Sequence, residues 1–152
     1  MYSLEEKKQL RLTFWSKFKT YSNKQKLKRG KPGAWILDKT GIKQLKLKFH
    51  FDEQIAYAGI EIITRNLDKR ITLYDKLEKL KEIITSKVPY ELKWELDVLT
   101  SEQRSISRIC AIKDDVNIYN IKCWSDVFKF LFDVMYPMED IFIEYKDYLK
   151  YD

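Results

Sequence analysis

Histidine is almost missing from this chain: His50 is the only one in 152 residues. A metal centre built on several imidazoles is therefore excluded. Glycine is scarce as well, with only Gly30, Gly33, Gly41 and Gly59. None of them builds a phosphate-cradling Gly-Lys-Ser/Thr loop or a dinucleotide fingerprint. No serine stands in a nucleophile elbow. The two cysteines, Cys110 and Cys123, match no zinc or redox spacing and are too few for a disulfide framework. They read as reduced, buried thiols of a cytoplasmic protein. No run approaches the roughly 20 apolar residues of a membrane span, and Met1–Leu10 carries no apolar stretch of signal-peptide type. The expectation is a cytoplasmic chain with no membrane partner, no cofactor and no metal.

What is present is a hydrophobic fraction of 45% beside a charged fraction of 34%. That balance belongs to a globular chain, and the length fits a single domain over 1–152. Aromatic residues reach 14%, and most of those rings must be core. The net charge of +6 is unevenly spread. Residues 1–50 hold fourteen Lys or Arg against three Asp or Glu, a net of +11. Residues 51–152 hold fifteen against twenty, a net of −5. Such asymmetry suggests a surface that faces a polyanion, provided that folding gathers the cations on one side.

Periodicity sets out the elements. Ser3 and Glu6 form a capping-box pattern, followed by Leu4, Leu10, Phe14, Phe18 and Tyr21 at helical spacing. This predicts a helix from Leu4 to Ser22, fraying on towards Leu27, with residues 24–33 as a mobile basic loop. Trp35-Ile36-Leu37 reads as a short strand and Asp38–Gly41 as a turn. From Lys43 to Phe51, Leu45, Leu47, Phe49 and Phe51 alternate with Gln44, Lys46, Lys48 and His50. Gln54–Ile63 follows as a more buried, antiparallel strand. Asp68 caps a second helix running to about Ser86. Leu92–Val98 and Ser105–Lys113 are strands, and Trp124–Leu149 is helical, broken or kinked at Pro137. The predicted class is α+β: a mostly antiparallel sheet of four to five strands with helices packed on it. The order α-β(β)β-α-β-β-α is distantly reminiscent of a restriction-endonuclease-like core.

Four constellations could carry function. Lys26, Lys28, Arg29 and Lys31, with Lys43, Lys46 and Lys48, form the candidate phosphate-contacting set. Lysines suit unspecific backbone contact better than readout of base edges. Glu61 is the candidate acid of a degenerate Glu-x-Lys metal site, with Asp38 or Asp52 as partner acid. Ile63 stands where the lysine would be, while Glu91-Leu92-Lys93 spells the triplet after the second helix, with Asp75 inside that helix. Glu61 and Arg108 both lie within apolar strands, and each needs a partner; a structural ion pair between them meets that need, as would contacts from Glu61 to Lys39 or Lys43. Trp35, near Lys31 and Lys39, is the tryptophan placed to stack on a base. Trp15, Trp94 and Trp124 fall on core stripes, and His50 reads as a solvent-facing strand histidine.

Several segments resemble a known family. Leu10-Arg11…Phe14-Trp15…Phe18, Trp35-Ile36…Lys39-Thr40-Gly41-Ile42-Lys43, Ile60-Glu61-Ile62, Ile106–Ile109 and Val116–Asn120…Trp124 are similar to the bacterial domain of unknown function DUF4268 over nearly the whole chain. The Trp-Ile…Lys-Thr-Gly-Ile-Lys run is the most specific piece. The resemblance implies a small module, free-standing or C-terminal in longer chains, some of which carry nuclease-like or DNA-modification-associated segments. It supplies no catalytic residue. The Lys-rich stretch after the first helix departs from the family pattern.

Taken together, these features favour a non-enzymatic accessory module that binds nucleic acid through its basic half. A protein–protein interaction module and a degenerate metal nuclease centred on Glu61 are the alternatives.

Overall fold

Strict alternation in the strands and a single long apolar helix decide the architecture. A computed structural model describes residues 1–151. Its sheet contains β1 (Leu45–Phe51), β2 (Ile55–Ile62), β3 (Lys93–Leu99) and β4 (Ser105–Asp114). The strands lie in the order β1-β2-β4-β3, and every pairing is antiparallel. The helices are α1 (Leu4–Lys28), α2 (Leu67–Lys79), α3 (Lys81–Lys87), α4 (Trp124–Glu144) and α5 (Lys146–Lys150).

The β1–β2 register places Leu45 opposite Ile62, Leu47 opposite Ile60, Phe49 opposite Ala58 and Phe51 opposite Ala56. These side chains make one face of the sheet apolar, and α4 covers it with Leu131, Phe132, Val134 and Met135, each at most 1% exposed. Ala56 and Ala58 on the central strand leave room for those larger side chains. α1 joins at the β1 edge, where Phe14 packs on Phe51 and Phe18 on Phe49. On the β3 side, Tyr74 of α2 meets Trp94. The residues between these in β1, β2 and β4 point to the opposite face.

Four local expectations are corrected. First, α1 runs on to Lys28, so Lys24–Lys28 is helix rather than basic loop. The stop is a Schellman turn. Gly30, at φ 73°, donates to the Leu27 carbonyl, and the Lys31 amide donates to Lys26. Second, Trp35–Leu37 is not a strand. Leu37 has φ 41°, which breaks the extended geometry a ladder needs. Third, Asn66 rather than Asp68 caps α2, accepting from the Lys69 amide at 3.2 Å. The predicted single helix divides at Leu80 into α2 and α3. Fourth, of the two effects expected of Pro137, a break does not occur: α4 continues through it to Glu144.

Both cysteines are free thiols: Cys110 is buried, whereas Cys123 is half-buried. Among the described residues, no helix is long and apolar enough to cross a membrane.

Candidate nucleic-acid interface

Alternation along β1 sends Lys46, Lys48 and His50 away from the helices. The register sets Lys46 opposite Glu61, Lys48 opposite Gly59 and His50 opposite Tyr57. β4 then brings Arg108 opposite Glu61 on the same face. A network of charged and aromatic groups results. Arg108 Nε donates to Glu61 Oε2 at 3.2 Å, and the Tyr57 hydroxyl donates to the same oxygen at 3.2 Å. Lys46 Nζ lies 3.7 Å from Glu61 Oε1. The Arg108 guanidinium sits 4.7 Å from the Tyr57 ring centre, and the His50 ring stacks on Tyr57 at 4.7 Å. Glu61 is 5% exposed, and its three neighbours offset the cost of placing a carboxylate there.

Burial, reinforced by the Glu61 charge, raises the Tyr57 phenol far above its ordinary range, which keeps it a donor. Burial pushes the Cys110 thiol up to about 11, so it is not a ready nucleophile. Burial disfavours the ionised form of Asp52. The hydrogen bond to His50 Nε2 at 2.7 Å and the amides of Ile55 and Gln54 outweigh it and hold the carboxyl below its usual value.

Above this floor runs a groove of about 370 Å³, walled by β1 and by the β3–β4 turn from Leu99 to Arg104. Lys46, Lys48, Arg104 and Arg108 line it, against Glu61 and Glu102. Arg104 is exposed and reaches the Ile63 carbonyl with Nη2 at 3.3 Å. No sequence motif marks it out. Its position beside a strand turn was the available signal, and nothing local revealed which face the turn would overhang.

The early lysines do not converge. Lys46 and Lys48 line the sheet groove, whereas Lys26, Lys28, Arg29 and Lys31 belong to the end of α1 in the helical layer. Lys26 is 3% exposed, bonded to Glu139 of α4 at 3.0 Å, with Nζ 3.9 Å from the centre of the Trp35 ring. That burial removes it from any phosphate-contacting set. Lys31 bonds to Asp140 at 2.9 Å, and Arg29 lies over the Phe132 and Tyr136 rings. Lys28 and Lys43 are exposed, and Lys43 lines the next groove along. Trp35 packs edge-on against Phe49 and Phe132 beneath Lys26, so it is no free stacking platform.

The acids are dispersed too. Asp38 lines the neighbouring groove, Asp52 holds the β1–β2 turn, Asp75 lies in α2, and Glu91 precedes β3. Among the described residues, no group of three or more His, Cys, Asp or Glu side chains is placed to hold a metal ion.

The family model described as "Domain of unknown function (DUF4268)" matches residues 10–146. The chain belongs to that family. Neither the curated proteins nor the solved structures contain a match. The Trp-Ile…Lys-Thr-Gly-Ile-Lys run of this DUF4268 chain is the connection into β1. Thr40, 1% exposed, donates to the Leu45 carbonyl at 2.8 Å and accepts from the Ile42 amide at 3.1 Å. Gly41 adopts φ 78°, and a Cβ there would lie 2.7 Å from Lys146 Nζ. The run fixes where β1 starts, and so which face Lys46 and Lys48 occupy.

Proposed function

We propose that this domain binds nucleic acid through the helix-free face of its sheet. The observation that carries the reading is the gathering of Lys46, Lys48, Arg104 and Arg108 around one groove. Its one deeply buried acid, Glu61, is already met by Arg108, Tyr57 and Lys46. Such a surface attracts phosphates by releasing counterions, and lysine ammonium groups, as point charges, do not read base edges. Binding is therefore salt-dependent and indifferent to sequence. The α1 end takes no part: Lys26 and Lys31 are committed to Glu139 and Asp140, and the exposed Lys24 and Lys28 line none of this groove.

Fluorescence anisotropy with a labelled oligonucleotide at low salt tests this. Wild type binds, and Lys48→Glu with Arg104→Glu weakens binding by about tenfold or more. Lys24→Glu with Lys28→Glu, on exposed positions of α1, leaves it nearly unchanged. Absence of binding by the wild type, or equal losses in both pairs, contradicts the reading.

A further inference from the structure

The sheet-face groove does not end at the sheet. Lys46, Ile63 and Arg104 line both it and a second groove of about 570 Å³, to which Arg65 also contributes. Ile42, Lys43 and Gln44 in turn line both that groove and a third, of about 480 Å³. The third reaches Lys69 of α2 and Lys150 of α5. Three adjoining depressions thus lead from His50 along the open sheet face, past the ends of β1 and β2, to the flank of the helical layer.

Cations follow this route throughout. Arg65, Lys43, Lys69 and Lys150 are exposed and extend the sheet-face cluster; among the described residues, Asp38 and Asp68 are the acids that line the two added grooves. Lys76 also lines the third groove, but its ammonium is engaged by the Tyr151 carbonyl at 2.7 Å. At the other end, the His50 side chain keeps 34% exposure while one ring face rests on Tyr57. A partly open imidazole backed by a phenol is a platform on which a base can stack.

The route bends around an edge of a small domain. A duplex is stiff over about 150 base pairs, and following such a bend costs it several kcal/mol. A single strand turns freely and has unpaired bases available for stacking. We infer that the ligand is a single-stranded nucleic acid, its phosphates running from Lys48 over the strand ends to Lys43 and Lys69, with a base on His50. This rests on the reading above and deepens it.

The test is a series of labelled single strands from about three to about twelve nucleotides, with a duplex of the longest sequence, titrated against the intact chain. Affinity should rise with length and level off at roughly 4–8 nucleotides, with the duplex weaker. Lys43→Gln with Lys69→Gln should reduce the salt slope for the longest strand by about 1.4 and leave the shortest strand's affinity unchanged. Circular dichroism checks that this variant is folded. Equal affinity for short and long strands, a duplex bound as tightly as the single strand, or an unchanged salt slope overturns the inference. In those cases sensitivity to Lys48→Glu with Arg104→Glu still upholds sheet-face binding, so the two failures are distinguishable. Equal affinity for oligo-glutamate reassigns the route to polyanions in general and overturns the nucleic-acid assignment.

Discussion

Glu61 and Arg108 face each other across the β2–β4 ladder, with Arg108 Nε donating to Glu61 Oε2 at 3.2 Å. The same carboxylate has Lys46 3.7 Å from its other oxygen. Glu61 therefore restrains two of the cations of the proposed interface. Replacing it with Gln should lower stability by about 1–3 kcal/mol, the cost of weakening charged hydrogen bonds. It should also tighten oligonucleotide binding, because an opposing charge is gone. Denaturant unfolding and anisotropy on one preparation check both effects. Weaker binding by a folded Glu61→Gln would point instead to a carboxylate that works on the ligand.

Lys26 and Glu139 join α1 to α4 inside the helical layer, with side chains 4% and 11% exposed. Lys26→Met strands the acid and should cost about 3–5 kcal/mol in urea unfolding. Lys26→Met with Glu139→Gln should recover much of that loss, since a neutral amide still accepts from the Ile36 amide, now bonded at 2.9 Å. With Glu139→Leu in its place, that amide loses its acceptor and the recovery is smaller by about 1–3 kcal/mol.

Gly59 marks a close approach of β2 to β4. A Cβ there would lie 2.1 Å from the Ile109 carbonyl oxygen and 2.6 Å from Cys110 Cα, both backbone atoms of a central strand. Gly59→Ala should therefore cost about 3 kcal/mol or more, at the upper end for overpacking. Thermal unfolding is the measurement. A melting temperature within a degree or so of wild type would mean that the two strands separate easily.

Asp52 gives the domain an acid-side dependence. Its folded carboxyl lies below the ordinary 3.8, so the unfolded chain binds that proton more readily. The stabilisation is present in full above the ordinary value. It is lost as the pH falls through the folded one. The stability difference between wild type and Asp52→Asn should therefore shrink as the pH falls from about 5 to below about 4, where the carboxylate takes up its proton. A difference that grows over that acid range contradicts the assignment.

The sheet was legible because strand periodicity is local. Leu45 to Phe51 alternate without interruption, and so Lys46, Lys48 and His50 were correctly set on the face away from the core. The pairing of Glu61 with Arg108 could be anticipated from two charges inside apolar strands. The end of α1 is not encoded in local pattern. The lysines from Lys24 onwards read as a basic loop, yet Lys26 continues the stripe of Phe14, Phe18 and Ser22 at intervals of four, and its burial depends on a partner 113 residues away. Charge counted along residues 1–50 likewise ignores direction. The chain reverses between α1 and β1, and the two lysine groups end in different layers. Arg104, Arg65 and Lys69 reach the interface only through the meeting of turns and helix starts, which single-sequence patterns do not encode.

The most direct test of the central claim is a ¹⁵N–¹H chemical-shift titration of the intact chain with a short single-stranded oligonucleotide at low salt. The largest changes should fall at Lys46, Lys48, His50, Arg104 and Arg108, fading as salt is added. Changes centred on Lys24–Lys31, at and beyond the end of α1, or no changes at all, would contradict that interface.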